Sequence, residues 1–223
     1  AMSPIMKGRS LAVRFDSLSA PLDEMKAAAA RVDAKLNDAF AAAVTGGLRQ
    51  YHLDHGAEVE ALRMAMPINT RAEGGSVGGN HFVPARFAVP LGIADPLERM
   101  AVVHHLMGEQ RAEPALALTA TLAGVFNRLP GGVVTSAFGT VLKGVDFLLS
   151  NVPGVPVPLY LAGSKVEANY AYGPLTGAAA NITLVSWAGD LHVGVNTDPA
   201  AVPDPDHLCD CLQAGFDEIR KLA

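Results

Sequence analysis

Two adjacent histidines in "VVHHLMGEQ", His104 and His105, are the residues best suited by type to acyl-transfer chemistry. One imidazole would take the proton of an attacking hydroxyl, while its neighbour and the carboxylate that follows would hold it in place. A catalytic double-histidine loop needs a turn after the pair, commonly made by glycine. Here Gly108 comes too early and Gln110 stands where the turn glycine belongs. The flanking residues read instead as a helix over 95–113. Asp95 is its cap, Pro96 its first residue and Glu98 its third, and Leu97, Met100, Val103 or Ala101, and Met107 recur at three- and four-residue spacing. Neighbours on a helix diverge by about 100°, so at most one of the two rings can face a cavity. The pair is expected on a solvated or partly buried helix, not on a catalytic loop.

The other nucleophiles and ligands are weaker still. His52 and His55 have the i, i+3 spacing of a metal pair, with no convincing third ligand, and His81 and His192 fall in strand contexts where they could line a pocket. Cys209 and Cys211, in "HLCDCLQ", would point to different faces of a helix. Cys-x-Cys is poor zinc spacing even with His207 nearby, and no second pair exists to complete a tetrahedral site. Two free thiols in a reducing compartment, and no metal, are expected. The sequence contains no Gly-x-Ser-x-Gly elbow, P-loop or dinucleotide fingerprint.

These side chains need a scaffold, and composition bounds it. At 223 residues, half of them hydrophobic and 17% charged, the chain can bury a real core and is not disordered. A net charge of -5 with no basic run argues against nucleic-acid binding. Residues 2–19 carry Lys7, Arg9, Arg14 and Asp16 without an apolar segment, so they do not read as a signal peptide. The charge-free stretches 114–127 and 129–142 fall short of the roughly 20 residues of a spanning helix and read as core helices or an interfacial surface.

The elements follow from periodicity and punctuation. "SLAVRFDSL" (10–18) alternates like a half-buried strand, and Pro21 with the acids after it opens a helix. Asn37 is suited to cap a second, Ala-rich helix that ends at Gly56. "LRMAMPIN" (62–69) is a buried strand, and 78–92 a second strand region that Pro84 and Pro90 confine to an edge or to bulges. "VDFLLSNVPG" is a strand running into a turn, and 181–198 a hairpin joined at Ala188-Gly189-Asp190. The last helix opens at Asp204-Pro205 and closes on Arg220 and Lys221. Interleaved strands and helices imply one α/β sandwich, a mixed sheet flanked by helices.

Several stretches taken in order carry a family resemblance. "LSNVPGVPVPLYLAG" (149–163) resembles the Ser-Asn-Val-Pro-Gly-Pro segment and Pro-Leu-Tyr continuation of bacterial wax ester synthase/acyl-CoA:diacylglycerol acyltransferases, with Val155 in place of the second proline. "NDAFAAAVTGGLRQY" (37–51) is similar to that family's Asn-Asp helix. "MPINTR" (66–71), "GGN" (78–80), "ADPLERM" (94–100) and "NITLVSWAGDLHVGVNTD" (181–198) match in the same order. The family's general base lies on a His-His-x-x-x-Asp-Gly loop upstream of the Asn-Asp helix, and no such loop precedes Asn37 here. His104-His105 therefore misses by position as well as by neighbours.

The resemblance implies that residues 1–223 form the C-terminal half of a two-domain, chloramphenicol acetyltransferase-like enzyme with a tunnel between its halves. It implies esterification of diacylglycerol or a long-chain alcohol by fatty acyl-CoA as substrate, with no cofactor, and a chain that is inactive alone. The implied partners are its own N-terminal domain, the lipid substrates, a membrane or lipid-droplet surface touched from the cytoplasm, and further copies of the isolated domain. Ser150 and Asn151 are candidate oxyanion donors or tunnel-wall residues and Pro153 and Gly154 motif or interface residues, or else Asn151 and Pro153-Gly154 only shape a turn. Asn37 and Asp38 cap a helix or hold the facing domain. Arg71 and Asn80 organise strand ends or touch CoA. A non-catalytic lipid- or partner-binding module is the alternative, and a hydrolase built on Ser150, which lacks identifiable His and acid partners, is weaker.

Overall fold

The computed structural model describes residues 2–69, 82–112 and 144–223. Among these, a six-stranded mixed sheet runs in the order β1 (Arg14–Pro21), β8 (Asp190–Thr197), β7 (Ala180–Trp187), β4 (Phe147–Val152), β2 (Ala61–Asn69), β3 (Phe82–Pro90). The β2–β4 and β4–β7 pairs are parallel and the others antiparallel. A small hairpin, β5 (Tyr160–Leu161) and β6 (Ser164–Lys165), stands apart. β3, which carries Pro84 and Pro90, is at an edge of the sheet, where proline is tolerated. The β7–β8 connection turns on Ala188 and Gly189, both at positive φ, the geometry that two-residue hairpins need.

Four described helices flank the sheet: α1 (Leu22–Ala30), α2 (Leu36–Asp54), α3 (Pro96–Ala112) and α4 (Pro205–Arg220). α1 is shorter than its sequence pattern, because the chain turns through Asp33 at φ 55 before α2 begins. Every residue of α2 from Asp38 to Leu48 is buried, which explains its alanines and glycines. A Cβ on Gly215 would meet the Ala43 carbonyl oxygen at 2.2 Å, and one on Gly47 would meet the Leu212 Cα at 2.6 Å. Glycine thus lets α2 and α4 touch backbone to backbone, with the Phe40 and Phe216 rings also packed between the two helices, tilted at 34° with centroids 6.1 Å apart.

The core lies between these helices and one sheet face, carried by Leu62, Met64, Phe147, Leu149, Leu184 and Val193. On the opposite face the irregular segment 166–179 packs down. The Asn181 amide donates to the Pro174 carbonyl at 2.8 Å, and the Tyr170 ring meets His192 edge-on. Among the described residues, no helix is long and apolar enough to cross a membrane.

Arg99 fixes α3 against the other helices. It is almost wholly buried, and its guanidinium donates to the carbonyls of Ala42, Ile93 and Ala94 and to Glu218 Oε2 at 2.7 Å on α4. A buried charge is tolerable only with such a full set of acceptors. The sequence shows it only as an arginine next to Met100 and four residues before Val103, on the apolar stripe of α3.

Candidate functional site

The candidate residues converge at the start of α2. Lys35 is the capping residue and Leu36 the first helical one, so Asn37 is second and Asp38 third. Asn37 is therefore not the cap expected from its type. The Asp38 carboxylate instead accepts the Lys35 amide at 2.8 Å through Oδ2, as a third-position acid does in a capping box. That leaves the Asn37 side chain available, and its Oδ1 accepts a hydrogen bond from Asn151 Nδ2. Asn151 lies one residue from the end of β4, in register with Leu184 on the helix-covered face. The contact joins the C-terminal end of a parallel strand to a helix N-terminus, where unpaired N–H groups concentrate positive partial charge.

Asp38 is completely buried. His104 Nδ1 donates to its Oδ2 at 2.7 Å, and Arg111 approaches its Oδ1 at 3.9 Å. Oδ1 has no hydrogen-bond partner among the described residues. α3 thus presents two basic side chains to one buried carboxylate on α2. The two adjacent histidines do diverge: the His104 side chain is 36% exposed and bound to Asp38, while His105 is 74% exposed beside Glu109. With Nδ1 donating, Nε2 is the acceptor of a neutral His104 ring.

Ser150 goes elsewhere. Neighbours on a strand face opposite ways, so Ser150 leaves the other side of the sheet, where it pairs in register with Thr183. There it lines a cleft of about 370 Å³ with Ala65, Leu148, Val152, Tyr172 and Thr183. Ser150 and Asn151 therefore do not share one site. Pro153 is exposed, and Gly154 is not at positive φ. A Cβ on Gly154 would lie 1.8 Å from the Ser186 carbonyl oxygen. The glycine is there for a close backbone approach to the end of β7, not for a left-handed turn. Arg71, Asn80, His81 and the apolar stretches 114–127 and 129–142 lie outside the described residues.

The remaining histidines have separate partners. The buried His52 donates from Nδ1 to the Leu48 carbonyl at 2.7 Å and meets Ser3 Oγ through Nε2 at 2.8 Å. Burial holds its pKa below the usual histidine value, against the opposing effect of the Leu48 bond. His55 Nε2 lies 3.0 Å from Asp204 Oδ2, so His52 and His55 do not converge. His192 is buried on the cleft side of the sheet, and neither ring nitrogen has a hydrogen-bond partner among the described residues. Cys209 is partly buried and Cys211 buried, both unpaired with each other.

Comparison with known proteins gives this arrangement a lineage. The family model described as the WS/DGAT C-terminal domain matches residues 78–220. Rv2484c of Mycobacterium tuberculosis, named as a diacylglycerol O-acyltransferase, is 40% identical over 221 residues, covering 99% of this chain and 45% of that protein. Rv3480c of the same organism, similarly named, is 33% identical over 81% of this chain and 38% of its own length. The chain spans about half the length of the curated relatives it matches. The solved wax ester synthase/diacylglycerol acyltransferase of Marinobacter aquaeolei VT8 superposes with a TM-score of 0.73 at 21% identity, over 98% of this chain and 51% of that one. The chain thus belongs to the WS/DGAT family, whose C-terminal domain it carries.

Proposed function

We propose that the chain forms one half of an acyltransferase tunnel, in which a fatty acyl group passes from acyl-CoA to the hydroxyl of a diacylglycerol or a long-chain alcohol. The observation that carries this reading is the Asn151–Asn37 contact beside the buried Asp38–His104 pair, at the end of a parallel strand and the start of a helix. In this proposal residues 1–223 are the C-terminal domain of a chloramphenicol acetyltransferase-like pair. The general base comes from the N-terminal domain, and the chain alone is inactive.

In the proposed reaction the base removes the hydroxyl proton as the alkoxide oxygen attacks the thioester carbonyl. The tetrahedral oxyanion collapses, the carbon–sulfur bond breaks, and CoA leaves with the proton. No cofactor enters. Asn151, anchored by Asn37, is placed to donate to the oxyanion or to position the tunnel wall. Asp38, held by Lys35 and His104, fixes the helix start on which Asn37 sits. The mostly apolar cleft with Ser150 and Thr183 at its wall opens on the opposite face of the sheet, so the reaction centre at Asn151 is proposed without Ser150. Arg71 and Asn80 remain candidates for CoA contact. The exposed apolar side chains Val157, Leu159, Tyr160 and Leu161 fit a surface that meets the N-terminal domain, a membrane or lipid droplet, or another copy.

Asn151→Ala in the two-domain enzyme tests the reading. An oxyanion donor should cost about 10²–10³ in kcat with little change in KM. An unchanged kcat in a folded variant would remove Asn151 from the reaction. The same exposed apolar patch favours the second reading, a lipid- or partner-binding module, which predicts vesicle or partner binding with no turnover in any combination of halves.

A further inference from the structure

Three donor atoms meet at the other end of α2, about 25 Å of helix from Asn37. Asp54 is the last residue of α2, and His207 and Cys211 stand one turn apart on α4. His207 Nε2 lies 3.0 Å from Asp54 Oδ2, Cys211 Sγ lies 3.8 Å from the same oxygen, and Sγ and Nε2 are 3.7 Å apart. Zinc bonds of about 2.3 Å to sulfur and about 2.0–2.1 Å to nitrogen or oxygen set tetrahedral edges of about 3.3–3.6 Å. The three atoms therefore already form one face of such a tetrahedron to within a few tenths of an ångström. We propose that Asp54, His207 and Cys211 form a zinc site, with three protein ligands and the fourth position open to water.

Two other readings of this trio fit less well. A Cys-His-Asp nucleophile relay needs thiol and carboxylate on opposite ring nitrogens, whereas here both approach Nε2. A plain surface ion pair accounts for Asp54 and His207 but not for a buried thiol aimed at both. Mixed sulfur, nitrogen and oxygen donors suit zinc better than calcium or magnesium, which prefer oxygen alone. Burial and the Asp54 carboxylate push the Cys211 thiol up to about 11 without metal. Binding releases that proton to solvent and sets a cation against both anions. His207 is half exposed and Asp54 lies at the surface, so the site is open to solution.

The Cys-x-Cys spacing hid this arrangement, because the second ligand is four residues before Cys211 and the third is on another helix. Cys209, on a different face of α4, takes no part. The site would tie the C-terminal end of α2 to α4, remote from the proposed tunnel residues.

Metal titration of the intact, chelator-treated chain tests the site independently of any activity. One equivalent of Co²⁺ should give a thiolate-to-cobalt charge-transfer band and strong visible bands, which one equivalent of Zn²⁺ displaces. Cys211→Ser should abolish the charge-transfer band and Cys209→Ser should leave it intact. His207→Gln and Asp54→Asn, at accessible positions that should not disturb folding, should each weaken zinc binding more than about tenfold, as loss of even an outer-shell partner can. Absence of the band, its survival in Cys211→Ser, or unchanged zinc affinity in both His207→Gln and Asp54→Asn would overturn the proposal.

Discussion

Replacing Asp38 with asparagine removes one charge and almost no volume, so it isolates what the buried carboxylate contributes. The amide oxygen can still accept the Lys35 N–H, but three terms are lost. The bond from Lys35 ceases to be charge-assisted, worth about 1 kcal/mol of the difference between charged and neutral hydrogen bonds. An acid in the first turn of α2 no longer faces the helix N-terminus, worth about 0.5–1 kcal/mol. His104 loses its anionic partner; with its side chain 36% exposed, solvent replaces much of that interaction, leaving about 0.5–1 kcal/mol. The sum is about 2–3 kcal/mol. Urea unfolding should report it as a lower midpoint at constant m-value. A double-mutant cycle with His104→Gln should show non-additivity, because the two side chains share a bond. A variant within about 0.5 kcal/mol of the parent chain, or strict additivity with His104→Gln, would refute the reasoning.

Arg99→Met should destabilise by about 1–3 kcal/mol in the same assay, since it strands the buried Ala42 carbonyl, while the half-exposed Glu218 carboxylate can turn to water. Gly154→Ala should cost about 2 kcal/mol or more, because its Cβ would overlap the Ser186 carbonyl oxygen and no flexible side chain can yield; full stability would show that the loop shifts freely. His52 predicts an acid-sensitive window. Burial depresses its pKa, so below about pH 6.5 the unfolded chain binds more protons than the folded one. Stability should be flat above that value and fall as pH drops from there toward the depressed pKa, and His52→Gln should flatten that fall. Asp198 acts lower: although partial burial opposes it, bonds from Ser10 and Ala200 hold its pKa down, so its contribution is lost only below about pH 4. An acid titration of the urea midpoint should resolve the two steps.

Local pattern carried far into this fold where the governing contacts are local. Alternation placed the first strand to within a few residues, Asp95 capped α3 as expected through Glu98 N–H at 2.8 Å, and of the edge or bulges that two prolines implied for β3 the structure shows the edge; the short β5–β6 hairpin carried no signal that was read. The order of short motifs identified the family. The site was less legible because its bonds join distant residues. Asp38 and His104 are 66 residues apart and Asn37 and Asn151 are 114 apart, so no spacing rule links them. Asn37 looked like the cap because asparagine caps well, yet a neighbouring acid that could reach back was the better fit. Gly154 read as a turn residue, while the overlap that requires glycine is with a strand more than 30 residues on. The opposite directions of Ser150 and Asn151, by contrast, follow from strand period alone once β4 is placed.

The most direct test of the central claim is CoA release from palmitoyl-CoA with a long-chain alcohol or diacylglycerol as acceptor. It should be run with the chain alone, with its His104→Ala/His105→Ala variant, and with the chain joined to the N-terminal domain of its parent. The chain alone should be silent, and release should appear only when the N-terminal domain is present. Turnover by the chain alone that the double variant abolishes would contradict the account, and would place the general base on α3 beside Asp38.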